Sequence, residues 1–197
     1  MGAKIYLSQF HFPDKEEEYT FFFSLKRTCY DTCYPFGILS AHGLTSLELE
    51  PVTILYGGNG SGKTTALNVI GEKLGLSRET LYNRSNFFED YTRRCTYELN
   101  GPIPGNSRMI TSDDVFDFMM NLRMMNQGID RMREHSARFS GCQFVIATHS
   151  PFLLAMKGAR IYDLDENPVD VKPWTKLKSV QAFYEFFKLH RDAFEQE

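Results

Sequence analysis

The sequence predicts an α/β fold in which helices flank a mostly parallel sheet, with an antiparallel β portion near the start of the chain. After residue 50, short apolar runs alternate with segments whose apolar residues recur at helical spacing, an order typical of parallel strands joined by helices. Before residue 50, shorter runs with period-2 alternation favour antiparallel strands. The chain has 197 residues and is 42% hydrophobic, which is enough for one core.

Four strands are predicted in the first 56 residues. Residues 4–12 alternate loosely and residues 19–25 are dense in aromatic side chains, so we expect these two segments to pair as a hairpin across the charged turn at residues 13–18. Residues 47–50 alternate with period 2. The apolar run Val52–Tyr56 predicts a buried strand.

A helix is predicted soon after the Val52–Tyr56 strand. Leu67, Ile70 and Leu74 recur at helical spacing within residues 64–74. Gly75 is expected to end this helix, because glycine adopts the left-handed conformation common at helix ends. A strand, a glycine-rich loop and a helix therefore follow one another directly.

The rest of the chain predicts two more helices and two more strands. One helix is expected to begin at a cap on Ser112 or Asp113 and to run to about residue 127. Residues 143–147 and Arg160–Asp163 predict short buried strands. Residues 180–194 carry phenylalanines near helical spacing, which predicts a helix that packs on the core. These phenylalanines are Phe183, Phe186, Phe187 and Phe194.

Composition gives no global reason to expect a nucleic-acid or membrane partner. The formal net charge is -3 and the pI is near 6.0, so no overall charge attracts the chain to DNA or to an anionic membrane. The arginines in the middle of the chain are interpreted as a solvated helix surface, with a local DNA-binding face as the alternative. The sequence contains no apolar run long enough for a signal peptide or a membrane span. We expect a cytoplasmic protein.

The strongest functional signal is the glycine-rich loop between the predicted strand and helix. It consists of Gly57, Gly58, Asn59, Gly60, Ser61, Gly62, Lys63 and Thr64. This sequence fits the G-x-x-x-x-G-K-[ST] pattern in the strand–loop–helix context that the pattern requires. Glycines let backbone N–H groups approach phosphate oxygens, and the following helix directs its positive end at them. The loop, called the phosphate loop below, predicts binding of ATP with Mg²⁺.

Two side chains of the phosphate loop have separate predicted tasks. The Lys63 ammonium is expected to reach the β- and γ-phosphates, and the Thr64 hydroxyl is expected to bind Mg²⁺. The alternative is a glycine-rich turn that precedes an unrelated helix.

A histidine follows the strand predicted at residues 143–147. Ligands collect at the carboxyl ends of parallel strands, so His149 is expected at the same sheet edge as the phosphate loop. There it would contact the γ-phosphate or the attacking water. The alternative is a surface or capping histidine.

Two motifs together resemble those of ABC-type AAA ATPases related to the RecF and SMC proteins. They are GGNGSGKTT, which ends at Thr65, and ATHSPFLLA, which contains His149. The resemblance implies one P-loop NTPase domain of ABC type over residues 1–197, with a shortened helical or arm subdomain at residues 78–139. It implies that His149 is the switch residue. It also implies ATP hydrolysis and a homodimer that closes head to tail on two ATP molecules.

Two further motifs of that family are not found in the sequence. A signature of the Ser-Gly-Gly/Glu type and a Walker B strand ending in Asp-Glu would precede the His149 segment, where residues 128–143 are too few to hold them. Residues 161–166 combine apolar residues with acids but follow His149, so they are interpreted as a strand that runs into a turn. Residues 112–114 are interpreted as a helix cap, with a water-mediated Mg²⁺ contact as the alternative. Binding of ATP with slow or no turnover is therefore expected.

Two other functions stay open at this stage. The first is a nucleotide sensor without catalysis that serves an effector protein, which the missing acids favour. The second is a small-molecule kinase, for which Arg93 and Arg94 would form an arginine lid and against which the His149 segment argues. Tyr34 or Phe36 would stack on adenine, with core packing as the alternative.

Overall fold

The computed structural model describes residues 4–26, 29–78, 81–109 and 141–194 of the chain. Within these ranges the chain forms an α/β arrangement of two sheets and six helices. None of the helices in these ranges is long and apolar enough to cross a bilayer.

The first sheet is antiparallel and contains three strands. Strands β1 (Leu7–His11), β2 (Ser46–Glu48) and β4 (Thr96–Leu99) lie in the order β2-β1-β4. Phe10 of β1 pairs with Leu47 on one side and with Tyr97 on the other. The predicted antiparallel β portion is confirmed, with β4 as an additional strand.

The predicted hairpin is wrong, because its second segment is a helix. Helix α1 spans Lys15–Ser24. Asp14 caps it by accepting the Glu17 N–H at 2.8 Å, while Glu17 Oε2 accepts the Asp14 N–H at 3.0 Å, which is a capping box. The charged residues interpreted as a turn therefore form the cap and the first turn of α1. Phe21, in the second half of the helix, is buried.

The second sheet is mixed and carries three of the predicted strands. Strands β3 (Val52–Tyr56), β5 (Phe144–Ala147) and β6 (Arg160–Asp163) are parallel, and β7 (Asp170–Val171) is antiparallel to β6. The order is β5-β3-β6-β7. This confirms the buried strand at Val52–Tyr56 and the strands predicted near residues 143–147 and 160–163.

Five further helices lie in the described ranges. They are α2 (Lys63–Lys73), α3 (Phe88–Arg94), α4 (Pro151–Leu154), α5 (Lys178–Leu189) and α6 (Arg191–Phe194), with short 3₁₀ turns at Ser40–His42 and Trp174–Lys176. Helix α2 confirms the prediction for residues 64–74, and Gly75 follows it with φ +63°. The helix predicted to start at Ser112 or Asp113 lies outside the described residues.

The core has two parts, one on each face of the second sheet. Leu55 of β3 belongs to the larger part, which also contains buried side chains of β1, α1, α2 and α3. The neighbouring residues Ile54 and Tyr56 belong to the smaller part, together with Leu177 and Val180. This alternation follows from the opposite directions of successive side chains in a strand.

The range expected as a helical or arm subdomain, residues 78–139, is described only as far as residue 109. Within it, Phe88 and Tyr91 of α3 are buried in the larger part of the core. Strand β4 pairs with β1 in the first sheet. Helix α3 is therefore part of the main core, whereas β4 has exposed side chains and joins the fold through its pairing with β1.

The C-terminal segment is helical as predicted, in two helices (α5 and α6) where one was expected, but its phenylalanines do not pack on the described core. Val180 in the first turn of α5 is buried, whereas Phe183 is 46% exposed and Phe187 is 53% exposed. Phe186 and Phe194 are more than half exposed as well. The expected packing of these rings is wrong, because the smaller part of the core ends at Val180 and α5 continues beyond it.

Gln143, directly before β5, and Tyr162 of β6 connect the second sheet to the first sheet and the residues next to it. The Gln143 amide oxygen accepts the N–H groups of Tyr6 and Leu7 at 2.9 and 2.8 Å, and its nitrogen donates to the Leu7 and Glu50 carbonyls at 2.7 and 3.2 Å. The Tyr162 hydroxyl accepts the N–H of Glu48 at 2.9 Å and donates to its carbonyl at 3.0 Å.

Candidate functional site

The phosphate loop lies at the carboxyl edge of the second sheet. It connects the end of β3 to the start of α2. In the sheet register Leu55 pairs with Ala147 on one side and with Tyr162 on the other. The residues that follow β5 and β6 therefore lie beside the loop. This is the edge at which parallel sheets bind ligands.

Two glycines give the loop a tight shape that other residues would not allow. Gly57 has φ +155°, and a Cβ there would stand 2.5 Å from Ser61 Oγ. Gly62 has φ +91°, and a Cβ there would stand 2.9 Å from Leu39 Cδ2. The loop consequently closes on itself at one end and rests on the core at the other.

The amino-terminal end of α2 points its backbone donors at the loop. Gly62 is the capping residue, and as a glycine it has no side chain that could accept a hydrogen bond from the first turn. The first N–H groups of a helix have no acceptor within the helix and carry its partial positive charge. Thr64 is exposed in this turn, whereas Thr65 is buried. This end of α2 is suited to an anion, and the Thr64 hydroxyl is accessible to a cation bound beside it.

The Lys63 ammonium folds back over the loop. Its Nζ donates to the carbonyl oxygens of Gly57 at 2.7 Å and Gly58 at 2.6 Å, and to Ser61 Oγ at 3.2 Å. Burial lowers the pKa of Lys63, and the nearby Asp165 carboxylate opposes that shift. The cation is thus held at the centre of the loop by the loop itself.

An aspartate that the sequence analysis did not assign to the site contacts the loop. The Gly58 N–H donates to both Asp165 oxygens, at 2.8 and 3.0 Å. The interpretation of residues 161–166 as a strand that runs into a turn is confirmed. The contact arises because β6 lies next to β3, and the order of strands in a sheet is not encoded in a local pattern. The available signal was an acid just past the end of a predicted parallel strand.

The turn that carries Asp165 is fixed by further polar contacts. Asp163 is 1% exposed, accepts the Asp165 N–H at 3.2 Å and pairs with Lys172 at 3.2 Å. Glu166 pairs with Lys172 at 2.8 Å and with Lys178 at 3.2 Å. The hydrogen bond from Lys172 lowers the pKa of the Glu166 carboxyl group. Both carboxylates therefore anchor the turn to the sheet and to the start of α5.

His149 lies at the predicted edge of the sheet but does not bond to the loop. It is the second residue after β5, whose ladder with β3 is extended by a hydrogen bond from Thr148 N–H to Leu55 O at 3.2 Å. The His149 side chain is exposed. Among the described residues, the hydrogen bonds of the loop, apart from those within helix α2, go to Asp165, to Lys63 and to the loop itself.

The aromatic residues suggested for adenine stacking pack within the protein. Phe36 is buried and stacks on Phe21 with ring centroids 4.7 Å apart. Tyr34 is half-buried, with its ring 5.9 Å from that of Phe88. Core packing is therefore the better interpretation of Phe36.

The acids of residues 112–114, for which a water-mediated Mg²⁺ contact was the alternative, lie outside the described residues. In the described ranges no group of three His, Cys, Asp or Glu side chains is arranged to hold a metal ion.

Comparison of the chain with protein families, with curated proteins and with solved structures gives no match. The assignment to the ABC-type ATPases stays a prediction that depends on the two sequence motifs.

Proposed function

We propose that the chain is an ATP-binding protein of the ABC-type AAA ATPases, in which residues 57–64 bind the phosphates of ATP and Mg²⁺. The observation that carries the proposal is the position of Lys63, held in the middle of a glycine loop at the start of α2. An ammonium group and a helix end directed at one point offer strong complementarity to a triphosphate.

In the proposed complex the Lys63 ammonium keeps the Gly57 carbonyl and exchanges its other two partners, Gly58 O and Ser61 Oγ, for the β- and γ-phosphates. The N–H groups of the first turn of α2 bind phosphate oxygens, and Thr64 binds Mg²⁺. His149 contacts the γ-phosphate and so distinguishes ATP from ADP. By the family resemblance, this contact drives a conformational change or the closing of a homodimer on ATP.

A nucleotide sensor with no turnover is the second candidate, and the positions of two acids favour it. The Asp165 carboxylate is bonded to Gly58, and the Asp163 carboxylate is buried in an ion pair with Lys172. A general base must reach the attacking water, and neither acid is free to do so in this arrangement. In this role the effector protein would respond to whether ATP is bound to the chain.

Binding of Mg-ATP measured by calorimetry tests the proposal. Lys63→Ala is expected to weaken binding by about 10-fold to about 100-fold, because a hydrogen bond to a charged group contributes about 1.5–3 kcal/mol. Lys157→Ala is the matched control, since Lys157 is exposed and precedes the opposite end of β6. Equal affinity of the wild type and Lys63→Ala would overturn the proposal.

Phosphate release from the same proteins separates the candidate functions. Release without an added acceptor supports an ATPase, and binding without release supports a sensor. Loss of ATP only with an added small-molecule acceptor would indicate a kinase.

Light scattering with and without Mg-ATP tests whether the protein forms a homodimer. If ATP closes a homodimer, the measured mass should double only when ATP is bound.

A further inference from the structure

We infer that Asp165 is a positioning residue for Lys63 and that it acts through the peptide bond between Gly57 and Gly58. The inference rests on the proposed function, and it adds a residue outside the phosphate loop on which phosphate binding depends.

Asp165 and Lys63 hold opposite ends of one peptide group. The Gly57 carbonyl oxygen accepts from Lys63 Nζ at 2.7 Å, and the Gly58 N–H donates to Asp165 Oδ1 and Oδ2 at 2.8 and 3.0 Å. In a trans peptide the C=O and N–H bonds point in opposite directions within one plane. The orientation that gives Asp165 its donor is therefore the orientation that gives Lys63 the Gly57 oxygen, one of its three acceptors.

The peptide group needs such a restraint because glycine stands on both sides of it. Turning the peptide over changes ψ of residue 57 and φ of residue 58, and glycine opposes neither change by steric contact. In the reversed orientation the Gly57 carbonyl would face the Asp165 carboxylate, and the Gly58 N–H would face the Lys63 ammonium. Both contacts are repulsive, so the carboxylate favours the orientation that holds Lys63 over the loop.

Asp165 is itself held in place by the sheet. Its N–H donates to the carboxylate of Asp163, which is buried at the end of β6 and paired with Lys172. The Leu164 N–H donates to the Tyr56 carbonyl at 2.8 Å, directly before the loop. The residue that restrains the loop is thus fixed by β6, the neighbour of β3, and not by residues of the loop itself.

A negative charge beside a triphosphate site would also repel the ligand, and this opposing effect gives the inference a sharp test. Asp165→Asn keeps an oxygen that accepts the Gly58 N–H and removes the charge. Asp165→Ala removes both. A positioning role predicts that asparagine restores what alanine loses, whereas a repulsive role predicts that both variants bind ATP more tightly than the wild type.

The experiment compares the wild type, Asp165→Asn, Asp165→Ala and Glu185→Ala. The last variant removes one exposed acid from α5 and controls for net charge. Hydrogen exchange of the Gly58 amide is measured by NMR in nucleotide-free protein, and Mg-ATP affinity is measured by calorimetry. We expect Asp165→Ala to speed exchange and to weaken ATP binding by about 10-fold. Asp165→Asn should stay within about threefold of the wild type in both measurements, and Glu185→Ala should equal it.

Unchanged Gly58 exchange in Asp165→Ala would overturn the inference, and so would tighter ATP binding by both Asp165 variants. The exchange measurement needs no nucleotide. If the wild type and Lys63→Ala fail to differ in ATP affinity, the proposed function fails, and Gly58 exchange still decides whether Asp165 holds the peptide.

Discussion

The Cδ2 methyl group of Leu39 lies 2.9 Å from the position that a Cβ on Gly62 would take. Leu39 is fully buried in the larger part of the core, so its side chain has little space to withdraw. Gly62 also has φ +91°, a conformation that side chains with a Cβ rarely adopt. The end of the phosphate loop therefore fits the core only with glycine at this position.

Gly62→Ala is expected to destabilise the protein more than Gly60→Ala. Both positions have positive φ, which costs an alanine about 1–2 kcal/mol. In the described part of the chain no atom lies within 4 Å of a Cβ on Gly60, whereas a Cβ on Gly62 meets Leu39. Overpacking of this kind adds about 1–3 kcal/mol. The free energy of unfolding in urea measures the difference. Equal losses in the two variants would show that the Leu39 contact carries no cost.

ATP affinity is expected to fall as the pH rises through the lowered pKa of Lys63. Burial lowers the pKa of Lys63 in the free protein, and phosphate charges would raise it in the complex. The ammonium form is the one that binds, so a proton is taken up when ATP binds above the lowered pKa. ATP affinity is therefore highest below the Lys63 pKa of the free protein. It declines as the pH rises from that pKa to the higher Lys63 pKa of the complex.

Calorimetry from about pH 7 to about pH 10 measures this decline. Lys63→Arg is the matched variant, because a guanidinium stays charged over the whole range. A decline of equal steepness in both proteins would assign the pH dependence to a group other than Lys63.

His149→Ala is expected to reduce the preference for ATP over ADP. In the proposed function His149 contacts the γ-phosphate, so the variant should lose affinity for ATP by about 2-fold to about 10-fold and keep its affinity for ADP, since a hydrogen bond contributes about 0.5–1.5 kcal/mol. His190→Ala serves as the control, because His190 is also exposed but lies at the end of α5. An unchanged ratio of the two affinities would argue against the assigned role.

Glu18 is expected to make the stability of the protein depend on pH. Its side chain is buried, and its Oε2 accepts from the Gly37 N–H at 2.9 Å and from Ser40 Oγ at 2.7 Å. Burial raises the pKa of Glu18 above its usual value. The folded state then binds the proton more tightly than the unfolded state, so this contribution to stability appears as the pH falls and is lost as the pH rises through the folded pKa.

Glu18→Gln removes this titration. The free energy of unfolding of the wild type minus that of the variant should increase as the pH is lowered toward about 4.3, the usual pKa of glutamate. Glu16→Gln changes an exposed acid in the same turn and controls for general charge effects. A difference that stays constant over this range would contradict the expectation.

Leu177→Ala is expected to destabilise the protein far more than Phe187→Ala. Leu177 is fully buried, whereas Phe187 is 53% exposed. Truncating a buried leucine costs about 2–5 kcal/mol, and an exposed ring contributes less than about 1 kcal/mol. Urea unfolding compares the two variants. Losses of similar size would mean that the exposed side of α5 is covered by a contact outside the described residues.

Local patterns were sufficient for the elements around the phosphate loop. The apolar run of β3 and the helical spacing of α2 are properties of continuous segments, and the loop motif lies between them. The same reasoning failed for α1: the aromatic density of residues 19–25 predicts a strand, whereas the capping box of Asp14 and Glu17 begins a helix. A cap decides how a segment begins, and it is easily missed when the residues after it also suit a strand.

The contact of Asp165 with Gly58 could not be predicted in the same way. It joins residues 107 positions apart, and it depends on β6 lying beside β3. The exposure of Phe187 could not be predicted either. Helical spacing shows that α5 has an apolar side, but it does not show which residues, if any, pack against that side.

The Gln143 amide has a consequence for the order in which the protein assembles. Its partners Leu7 and Tyr6, at the start of β1 and directly before it, lie 136 and 137 positions earlier in the chain. Strand β3 likewise finds both of its neighbours only after residue 143. During synthesis β1 can already pair with β2 and β4, but both edges of β3 stay open until the residues of β5 and β6 have been made. Such distant pairings slow folding, and unpaired edges promote aggregation, so we expect this protein to need chaperones while it is being made.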